Sequence, residues 1–255
     1  QKTSKLVVFD SRTFFGNIQS PNTRGNTSED LTQKNNIKSY SFSLIFQNVQ
    51  SLRNKQDLLQ THVQGVKNLQ CVCLSEHWLS KDEATSIHLP GYVTSAFFSR
   101  TVYGHGGVMQ LTKASTSFTS LPWISQLSTE VDCELSGTLL VDLNCIIVTI
   151  YRSPKGNVNT FCEVMSKLLD KLNGKLCDII IGGDFNFHFE ITNCNTTVQI
   201  KDLFKSYGLY PIVKFPTRKK ATLDNIFTNI PEKNIVTSPL DLVLSDHQGI
   251  YMEVN

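Results

Sequence analysis

The chain lacks the features that would place it in a membrane, in a disulfide-stabilised fold or around a zinc ion. No stretch of its 255 residues reaches the uninterrupted apolar length of a transmembrane helix, and no signal pattern stands at the N-terminus. The seven cysteines are odd in number, lie mostly inside apolar runs and have no paired metal-type spacing. We therefore expect a soluble protein of a reducing compartment that has no membrane partner.

Charge of one sign is also scarce, with 24 Lys and Arg residues against 22 Asp and Glu residues and a formal net charge of +2. The pI of about 8.2 permits a local basic face but does not by itself require a nucleic-acid partner. Hydrophobic residues make up 40% of the chain, which is ample for one core. Residues 1–39 are polar and rich in turn-forming residues, so we predict a poorly ordered N-terminal arm followed by one domain over residues 40–255.

Polar side chains stand at the ends of several apolar runs. Asp184 and Asn186 follow the run at residues 177–181 and are two residues apart, so both lie on one side of an extended backbone. One such pair is also typical of an ordinary turn, but burying a carboxylate without a partner costs several kcal/mol. Three further runs stop in the same way, at Gln47-Asn48, Ser75-Glu76 and Ser245-Asp246-His247. Four polar strand ends predict one shared site.

The remaining pattern mixes many strands with few helices. Two apolar runs, residues 137–143 and 145–151, share only Asn144 as their turn and predict an antiparallel hairpin. Apolar residues at helical spacing over residues 158–172 predict a helix packed by one face. Hairpins mixed with crossovers favour an α/β sandwich of two sheets covered by helices. Further predicted elements are helices over residues 55–69 and 199–207 and a strand over residues 241–244.

The residue types at the strand ends suit a hard metal ion. They offer three carboxylates and one carboxamide, Glu76, Asp184, Asp246 and Asn48, and this set suits Mg²⁺ or Mn²⁺ better than zinc. Mg²⁺ commonly works on phosphate oxygens, which implies a phosphate-ester substrate. His247 stands beside Asp246, and Asp224 in another apolar run could orient its imidazole. These are the parts of metal-assisted phosphodiester hydrolysis.

Six motifs in chain order resemble the endonuclease/exonuclease/phosphatase superfamily. They are Gln47-Asn48-Val49, Ser75-Glu76, Tyr151-Arg152-Ser153-Pro154, Gly183-Asp184-Phe185-Asn186, Leu223-Asp224 and Ser245-Asp246-His247. Residues 48–55, Glu76-His77-Trp78-Leu79 and Pro216-Thr217-Arg218 are most similar to the apurinic-type endonuclease domain of non-LTR (LINE-type) retrotransposons. The resemblance covers residues 40–255. It implies a DNase I-like, four-layered α/β sandwich with two mixed, mainly antiparallel sheets flanked by helices.

The resemblance also implies the role of each catalytic residue. Asp184 would orient or deprotonate the attacking water, and Asn186 would fix the scissile phosphate or the nucleophile. His247, held by Asp224, would donate a hydrogen bond to a phosphate oxygen. Tyr151 would form a hydrogen bond near the same phosphate or the leaving oxygen.

Metal and substrate contacts are implied in the same way. Glu76 would be the principal ligand of Mg²⁺ (or Mn²⁺), with Asn48 and Asp246 near the ion, and no small-molecule cofactor is expected. The predicted substrate-binding residues are Thr217, Ser245, Arg152, Arg218 and Lys219, with Arg53, Lys55 and Lys220 as further candidates for phosphate contacts. Gln50 departs from the related elements, which often carry Arg there. Trp78 is open to two interpretations, capping the core or stacking on a base.

The implied function is that of a Mg²⁺-dependent DNA endonuclease. It would nick one strand of double-stranded target DNA and leave a 3′-hydroxyl, which the reverse transcriptase portion of the same polyprotein would extend. The protein would be made in the cytoplasm and act in the nucleus, and the loop over residues 187–198 could enter a DNA groove. Alternatives are an abasic-site repair endonuclease, a phosphatase of the same superfamily, or an inactive DNA-binding or interaction module. The Tyr151-Arg152-Ser153-Pro154 turn lacks an Asn that repair endonucleases place soon after the Pro, which weakens the first alternative.

Overall fold

Twelve strands form the centre of the protein in the computed structural model, which describes residues 41–255. They are rich in Val, Ile, Leu and Phe, the residues that pack well on a pleated, buried surface. The predicted arm over residues 1–39 lies outside the described residues. In chain order the strands are β1 (Phe42–Asn48), β2 (Leu69–Ser75), β3 (Tyr92–Phe98), β4 (Val108–Lys113), β5 (Phe118–Ser120), β6 (Glu134–Leu140), β7 (Cys145–Tyr151), β8 (Asp178–Asp184), β9 (Tyr210–Pro211), β10 (Asp224–Thr228), β11 (Ile235–Leu240) and β12 (Gly249–Val254).

Five helices connect these strands within the described range. The longest begins after Asn157, whose side-chain oxygen accepts hydrogen bonds from the backbone N–H groups of Asn159 and Thr160 and so caps the first turn. Its apolar face carries buried residues such as Phe161 and Leu168. In chain order the helices are α1 (Gln56–Val63), α2 (Lys81–Thr85), α3 (Pro122–Ser125), α4 (Val158–Leu172) and α5 (Asn195–Ser206), and a 3-10 turn spans Glu232–Asn234.

The strands form two six-stranded sheets, in the order β11-β12-β1-β2-β4-β3 and β5-β6-β7-β8-β10-β9. Each sheet has one parallel pair, β1 with β2 and β7 with β8, and its other neighbours are antiparallel. The parallel pairs are joined by crossovers through α1 and α4, because two parallel strands cannot be connected by a tight turn. The predicted fold, with two mixed and mainly antiparallel sheets, is confirmed.

Three apolar clusters define the layers. The middle cluster lies between the two sheets and includes Phe46, Ile147 and Met252. A second cluster packs α4 and α5 against the outer face of the second sheet, and a third packs α1 and α2 against the outer face of the first. The helices therefore cover both sheets, which completes the four layers.

Several predicted element bounds need correction. Helix α1 ends at Val63 and not at residue 69, because residues 64–68 form turns that include Gly65 and the left-handed Asn68 (φ +54°). The hairpin turn occupies residues 141–144, and α5 begins at Asn195, four residues before the predicted start. Strands β3, β5 and β11, all near sheet edges, were not predicted.

Residues 241–244 are not a strand. Leu242 and Leu244 are buried, whereas Val243 is 72% exposed and has a φ of +52°. The alternation that predicted a strand therefore comes from a loop that buries every second side chain. Among the described residues, no helix combines the length and the hydropathy that crossing a membrane would require.

Candidate active site

A row of four polar side chains marks one end of the second sheet. Glu134 starts β6, Tyr151 ends β7, Asp184 ends β8 and Asp224 starts β10, and their backbone register makes them successive neighbours across four strands. Each is at most 4% exposed. Because buried polar groups must be paired, this row is the natural starting point of a functional site.

The first sheet ends in a second polar row that faces the first. Asn48 and Ser75 are register partners at the ends of the parallel strands β1 and β2, and Glu76 follows directly. Glu76 has a φ of +56°, and its carbonyl accepts a hydrogen bond from the N–H of Ser51 at 2.8 Å. The turns after β1 and β2 therefore hold each other in place.

The carboxamide of Asn48 joins the two rows. Its Nδ2 donates to Glu76 Oε1 and to Asp184 Oδ2, both at 2.8 Å, while its Oδ1 accepts from the N–H of Gln50 at 3.1 Å. The reverse orientation would set the amide oxygen against two carboxylates, so this network determines the assignment. Asn48 thus bridges two carboxylates through its nitrogen, and its predicted role near a metal ion stays a prediction.

Asp184 ends in a turn that surrounds its carboxylate with donors. Oδ1 accepts from the N–H of Asn186 at 2.9 Å, and Oδ2 accepts from Asn186 Nδ2 at 3.1 Å. Asn186 adopts a left-handed φ of +51°, which Asn tolerates better than most residues. Burial and the neighbouring charge of Asp224 raise the pKa of Asp184 well above its usual range. A carboxylate of raised pKa, held by two amides, is suited to accept a proton.

The preceding glycine explains the close approach of the two sheets. A Cβ at Gly182 would lie 2.6 Å from the ring of Phe46 across the sandwich. Gly182, two residues before Asp184, therefore lets β8 lie close to β1.

His247 and Asp224 form a buried pair beside Asp184. His247 Nδ1 lies 2.8 Å from Asp224 Oδ2, and the N–H of His247 donates to Ser245 Oγ at 3.1 Å. Burial by itself would lower the pKa of His247, but the hydrogen bond to Asp224 and the charges of Asp224 and Asp184 outweigh it and raise the pKa to about 9. The imidazole is therefore protonated at neutral pH, and its Nε2–H remains as a donor.

Asp184, Asp224 and His247 each offer a ligand atom within 4.8 Å of the others, a spacing that could hold a metal ion. His247 could bind an ion only through Nε2, because its Nδ1 is engaged by Asp224, and the raised pKa of the imidazole opposes the loss of the Nε2 proton that such binding would require. Glu76 is the more accessible carboxylate, and its Oε2 accepts from Trp78 Nε1 at 3.0 Å. Hard carboxylate oxygens at this point suit Mg²⁺ or Mn²⁺.

Asp246 lies at the exposed edge of the same site. Its Oδ1 accepts from Gln50 Nε2 at 2.7 Å, and its Oδ2 accepts from Arg218 Nε at 2.8 Å and Nη2 at 2.7 Å. Partial burial would raise the pKa of Asp246, but Arg218 outweighs it and keeps the pKa below its usual value. His247 Nε2 is 4.0 Å from Asp246 Oδ1. The predicted metal ligand thus pairs with a predicted DNA-contact residue.

Tyr151 contributes a buried phenol. Its hydroxyl is 3.5 Å from Ser153 Oγ. Burial, followed by the nearby charge of Glu76, raises the pKa of Tyr151, so the phenol keeps its proton and acts as a donor.

Two of the residues predicted to bind substrate, Arg152 and Thr217, have buried side chains, and their contacts with substrate stay predictions. Arg152 is 4% exposed, its Nη2 donates to the carbonyl of Gly156, and its guanidinium lies 4.4 Å from the centroid of the Phe187 ring. Thr217 is fully buried, and its Oγ1 accepts from the N–H groups of Leu223 and Asp224 at 3.1 Å each. Arg152 therefore supports the turn that carries Asn186, and Thr217 supports Asp224.

The other predicted substrate contacts differ in accessibility. Ser245 is half-buried, and its Oγ donates to the carbonyl of Asn48 at 2.6 Å, so its hydroxyl is used internally. Lys219 is exposed in a turn that the Arg218–Ala221 bridge closes. Lys55 donates to three carbonyls, those of Val49, Gln50 and Leu244, and Arg53 pairs with Glu83. Of the predicted cations, Arg53, Lys219 and Lys220 are exposed and Arg218 is partly exposed.

The loop predicted to reach DNA is shorter than expected. Phe187 and Phe189 are buried in the second cluster, and residues 195–198 already belong to α5. The non-helical part of this segment with exposed side chains therefore lies within residues 188–194, and further exposed residues such as Val198 belong to α5.

Sequence reasoning missed several residues around Glu76. Trp78 donates to Glu76 and stacks on His105 with ring centroids 4.0 Å apart, and it is not among the residues packed against the three apolar clusters. Its stacking on a base stays a prediction. Arg100 and Glu134 form a buried ion pair of 2.5 Å close to Tyr151. The Gly106-Gly107 pair before β4 was the available signal, because its backbone holds the turn of Glu76 and Trp78.

Comparisons with known proteins bear on this site. A family model described as endonuclease-reverse transcriptase matches residues 145–251. The comparison with curated protein sequences gives no match. Among solved structures, the endonuclease domain of TRAS1, a telomere-specific non-LTR retrotransposon, shares 16% identity and a TM-score of 0.62, covering 84% of this chain and 98% of that one.

Two further solved structures share the fold. An AP endonuclease from Archaeoglobus fulgidus has 13% identity and a TM-score of 0.62, with 83% of this chain and 98% of that chain covered. The 3′ phosphatase NExo from Neisseria, bound to a product DNA hairpin, has 13% identity and a TM-score of 0.64, with 84% and 99% covered. The family model covers four of the six motifs, those at residues 151–154, 183–186, 223–224 and 245–247, and the solved structures share the fold of this chain.

Proposed function

We propose that this chain, a member of the endonuclease/exonuclease/phosphatase superfamily, is a divalent-metal-dependent DNA endonuclease that nicks one strand and leaves a 3′-hydroxyl. The observation that carries the proposal is the Asn48 carboxamide, which ties Glu76 to Asp184 beside the Asp224–His247 pair. This arrangement sets an accessible carboxylate, a proton acceptor and a cationic donor around one cleft.

Glu76 and Asp246 would hold the ion, which we propose to be Mg²⁺, with Mn²⁺ as a substitute. The donor set fits this choice because it consists of carboxylate oxygens and contains no thiolate. When bound, the ion supplies Lewis-acid polarisation of a phosphate oxygen. Asn48 Nδ2 would keep Glu76 and Asp184 at a constant separation while the site is loaded.

The protein's own residues would carry out the proton transfers. Asp184, with its raised pKa, takes the proton of the attacking water, and Asn186 orients that water or the phosphate. The Nε2–H of His247 donates to a phosphate oxygen and stabilises the charge that develops there. As the water oxygen bonds to phosphorus, the P–O3′ bond breaks and the phosphate stays on the 5′ oxygen of the nick. Tyr151 donates a hydrogen bond near the leaving 3′ oxygen, which takes up a proton from solvent to become the 3′-hydroxyl.

Duplex DNA is the proposed substrate, with Arg218 and Lys219 as phosphate contacts at the exposed edge. The neighbour from Neisseria was solved with a DNA product, and the TRAS1 domain belongs to a non-LTR retrotransposon. The description of the matching family model supports a reverse transcriptase portion of the same polyprotein as the partner that would extend the 3′-hydroxyl. The site of action would then be chromosomal DNA in the nucleus.

The test is nicking of supercoiled plasmid with Mg²⁺, with EDTA, and with the Asp184→Ala variant. Asp241→Ala serves as the matched control, since Asp241 is an exposed carboxylate outside the two polar rows. We expect open circles only with Mg²⁺ and only for the wild type and the control. Extension of the nicks by a DNA polymerase would verify the 3′-hydroxyl.

Three other outcomes would redirect the proposal. Cleavage of abasic duplex alone would indicate repair, and release of inorganic phosphate from a 3′-phosphate without nicking would indicate a phosphatase. Intact plasmid and substrate under every condition would indicate a binding module.

A further inference from the structure

We propose that Glu134 is a positioning residue that couples the turn carrying Glu76 to the phenol of Tyr151, with Arg100 and Ser153 as its intermediates. This inference rests on the proposed function of the same site. None of these roles follows from the sequence motifs, and each link is a contact between described residues.

The first observation is the burial of Glu134. Its side chain is fully buried at the start of β6, in register with Tyr151. Its partners are all donors: Oε1 accepts from Arg100 Nε at 2.5 Å and from the N–H of Val131 at 3.0 Å, and Oε2 accepts from the N–H of Gly107 at 2.6 Å. A buried carboxylate with three donors is held in one orientation.

Glu134 Oε2 is connected by hydrogen bonds to the turn that carries Glu76, the proposed metal ligand. Gly107, which donates to Oε2, accepts through its own carbonyl from the N–H of Glu76 at 2.8 Å. Gly107 has a φ of +86°, and a Cβ there would lie 2.5 Å from the His77 ring. The turn that sets the direction of the Glu76 side chain therefore depends on a glycine that Glu134 holds.

Glu134 Oε1 is connected to Tyr151 through Arg100 and Ser153. Arg100, paired with Oε1, donates through Nη2 to Ser153 Oγ at 2.7 Å, and Ser153 Oγ lies 3.5 Å from the Tyr151 hydroxyl. The Arg100 guanidinium also lies 5.7 Å from the centroid of the Tyr151 ring. A second path reinforces the first, because the carbonyl of Val131 accepts from the N–H of Ser153 at 2.9 Å.

A glutamine cannot replace this carboxylate. Because all three partners are donors, the NH₂ group of Glu134→Gln must face one of them, so at least one path is broken while the side chain keeps its size. Ser153→Ala breaks only the path to Tyr151, and Arg100→Lys keeps the buried charge but loses the guanidinium link to Ser153. The variants therefore separate the two paths.

The experiment measures Mn²⁺ affinity by calorimetry, nicking kcat and KM, and thermal unfolding for each variant. Residues that support ligands typically change metal affinity or activity by about 10- to 100-fold. We expect Glu134→Gln to lower both Mn²⁺ affinity and kcat by about tenfold or more, and Ser153→Ala and Arg100→Lys to lower kcat alone. Glu253→Gln is the matched control, since Glu253 also accepts two hydrogen bonds, from Ser41 Oγ and from the Tyr251 hydroxyl, but lies on β12 and belongs to neither path.

A double-mutant cycle distinguishes coupling from loss of structure. If Glu134 acts through Tyr151, the fall in kcat of the Glu134→Gln/Tyr151→Phe double variant will be smaller than the product of the falls in the two single variants. If Glu134→Gln has only a general structural effect, the two falls will multiply. Independent effects, or a folded Glu134→Gln protein with wild-type Mn²⁺ affinity and kcat, would overturn the inference. If Glu134→Gln does not fold, the cycle is run with Ser153→Ala. A wild-type protein that binds Mn²⁺ but does not nick would contradict the proposed function, and the Mn²⁺ measurements would still test the path to Glu76.

Discussion

The buried and exposed halves of the site are held together in different ways. In the buried half, Asp184, Asp224 and His247 are each at most 4% exposed and are held by hydrogen bonds of the interior. In the exposed half, Asp246 is held by Arg218 through side chains that are 42% and 36% exposed. Breaking a buried pair typically costs about 3–5 kcal/mol, whereas an exposed pair is worth about 0–1 kcal/mol. The buried half is thus preorganised, and the exposed half can exchange partners when a cation or a phosphate arrives.

The largest effect is expected in the buried half. His247→Ala removes the cationic donor and leaves Asp224 without its partner, so single-turnover nicking should fall by at least about 100-fold. His88→Ala, which changes an exposed histidine far along the chain, serves as the control. Nicking within tenfold of the wild type would show that the pair is not part of the chemistry.

Removing the link between the two rows should have the next largest effect. Asn48→Ala leaves the carboxylates of Glu76 and Asp184 without their shared donor, and we expect nicking and Mn²⁺ affinity to fall by about 10- to 100-fold. Calorimetry with Mn²⁺ and a plasmid assay measure the two quantities separately. Unchanged Mn²⁺ affinity would mean that the amide does not organise the ligand.

Arg152 tests whether a buried cation supports the turn of Asn186. Arg152→Met keeps apolar contact with Phe187 but leaves the Gly156 and Asn186 carbonyls without their donor, which should lower the free energy of unfolding by about 1–3 kcal/mol. Denaturant unfolding measures the change. If the variant is as stable as the wild type and has lost only affinity for DNA, the result would instead support the predicted contact between Arg152 and a phosphate.

The smallest effects are expected at the exposed ion pair of Arg218 and Asp246, where one substitution should change the affinities for Mn²⁺ and for DNA in opposite directions. Arg218→Ala frees the Asp246 carboxylate, so Mn²⁺ affinity should rise by about fivefold or less while affinity for duplex DNA falls. Lys219→Ala, a neighbouring exposed cation without this pairing, should weaken DNA binding and leave Mn²⁺ affinity unchanged. A fall in both affinities for Arg218→Ala would mean that the ion pair supports the metal site.

Predicted elements were confirmed where the spacing of apolar residues along the chain matches the side chains that are buried in the structure. Helix α4 has the predicted bounds, Val158–Leu172, because its apolar residues recur at helical spacing and pack on one side. The strand predicted over residues 241–244 was wrong, because a loop that buries Leu242 and Leu244 shows the same alternation of buried and exposed side chains as a strand. The sequence could not show that Arg152 is buried, because a basic residue inside a motif is equally consistent with a phosphate contact and with a buried cation over an aromatic ring.

The sequence by itself determined the two-sheet α/β class and most of the polar strand ends, because apolar periodicity and residue type are local properties. It also carried the motifs that resemble the endonuclease/exonuclease/phosphatase superfamily. Only the tertiary structure shows that the Asn48 amide donates to two carboxylates and that Arg218 forms an ion pair with Asp246. It also shows that Arg100 and Glu134 form an ion pair close to Tyr151. These contacts join residues far apart in the chain, and their formation depends on the register of two sheets and on burial, which no local pattern specifies.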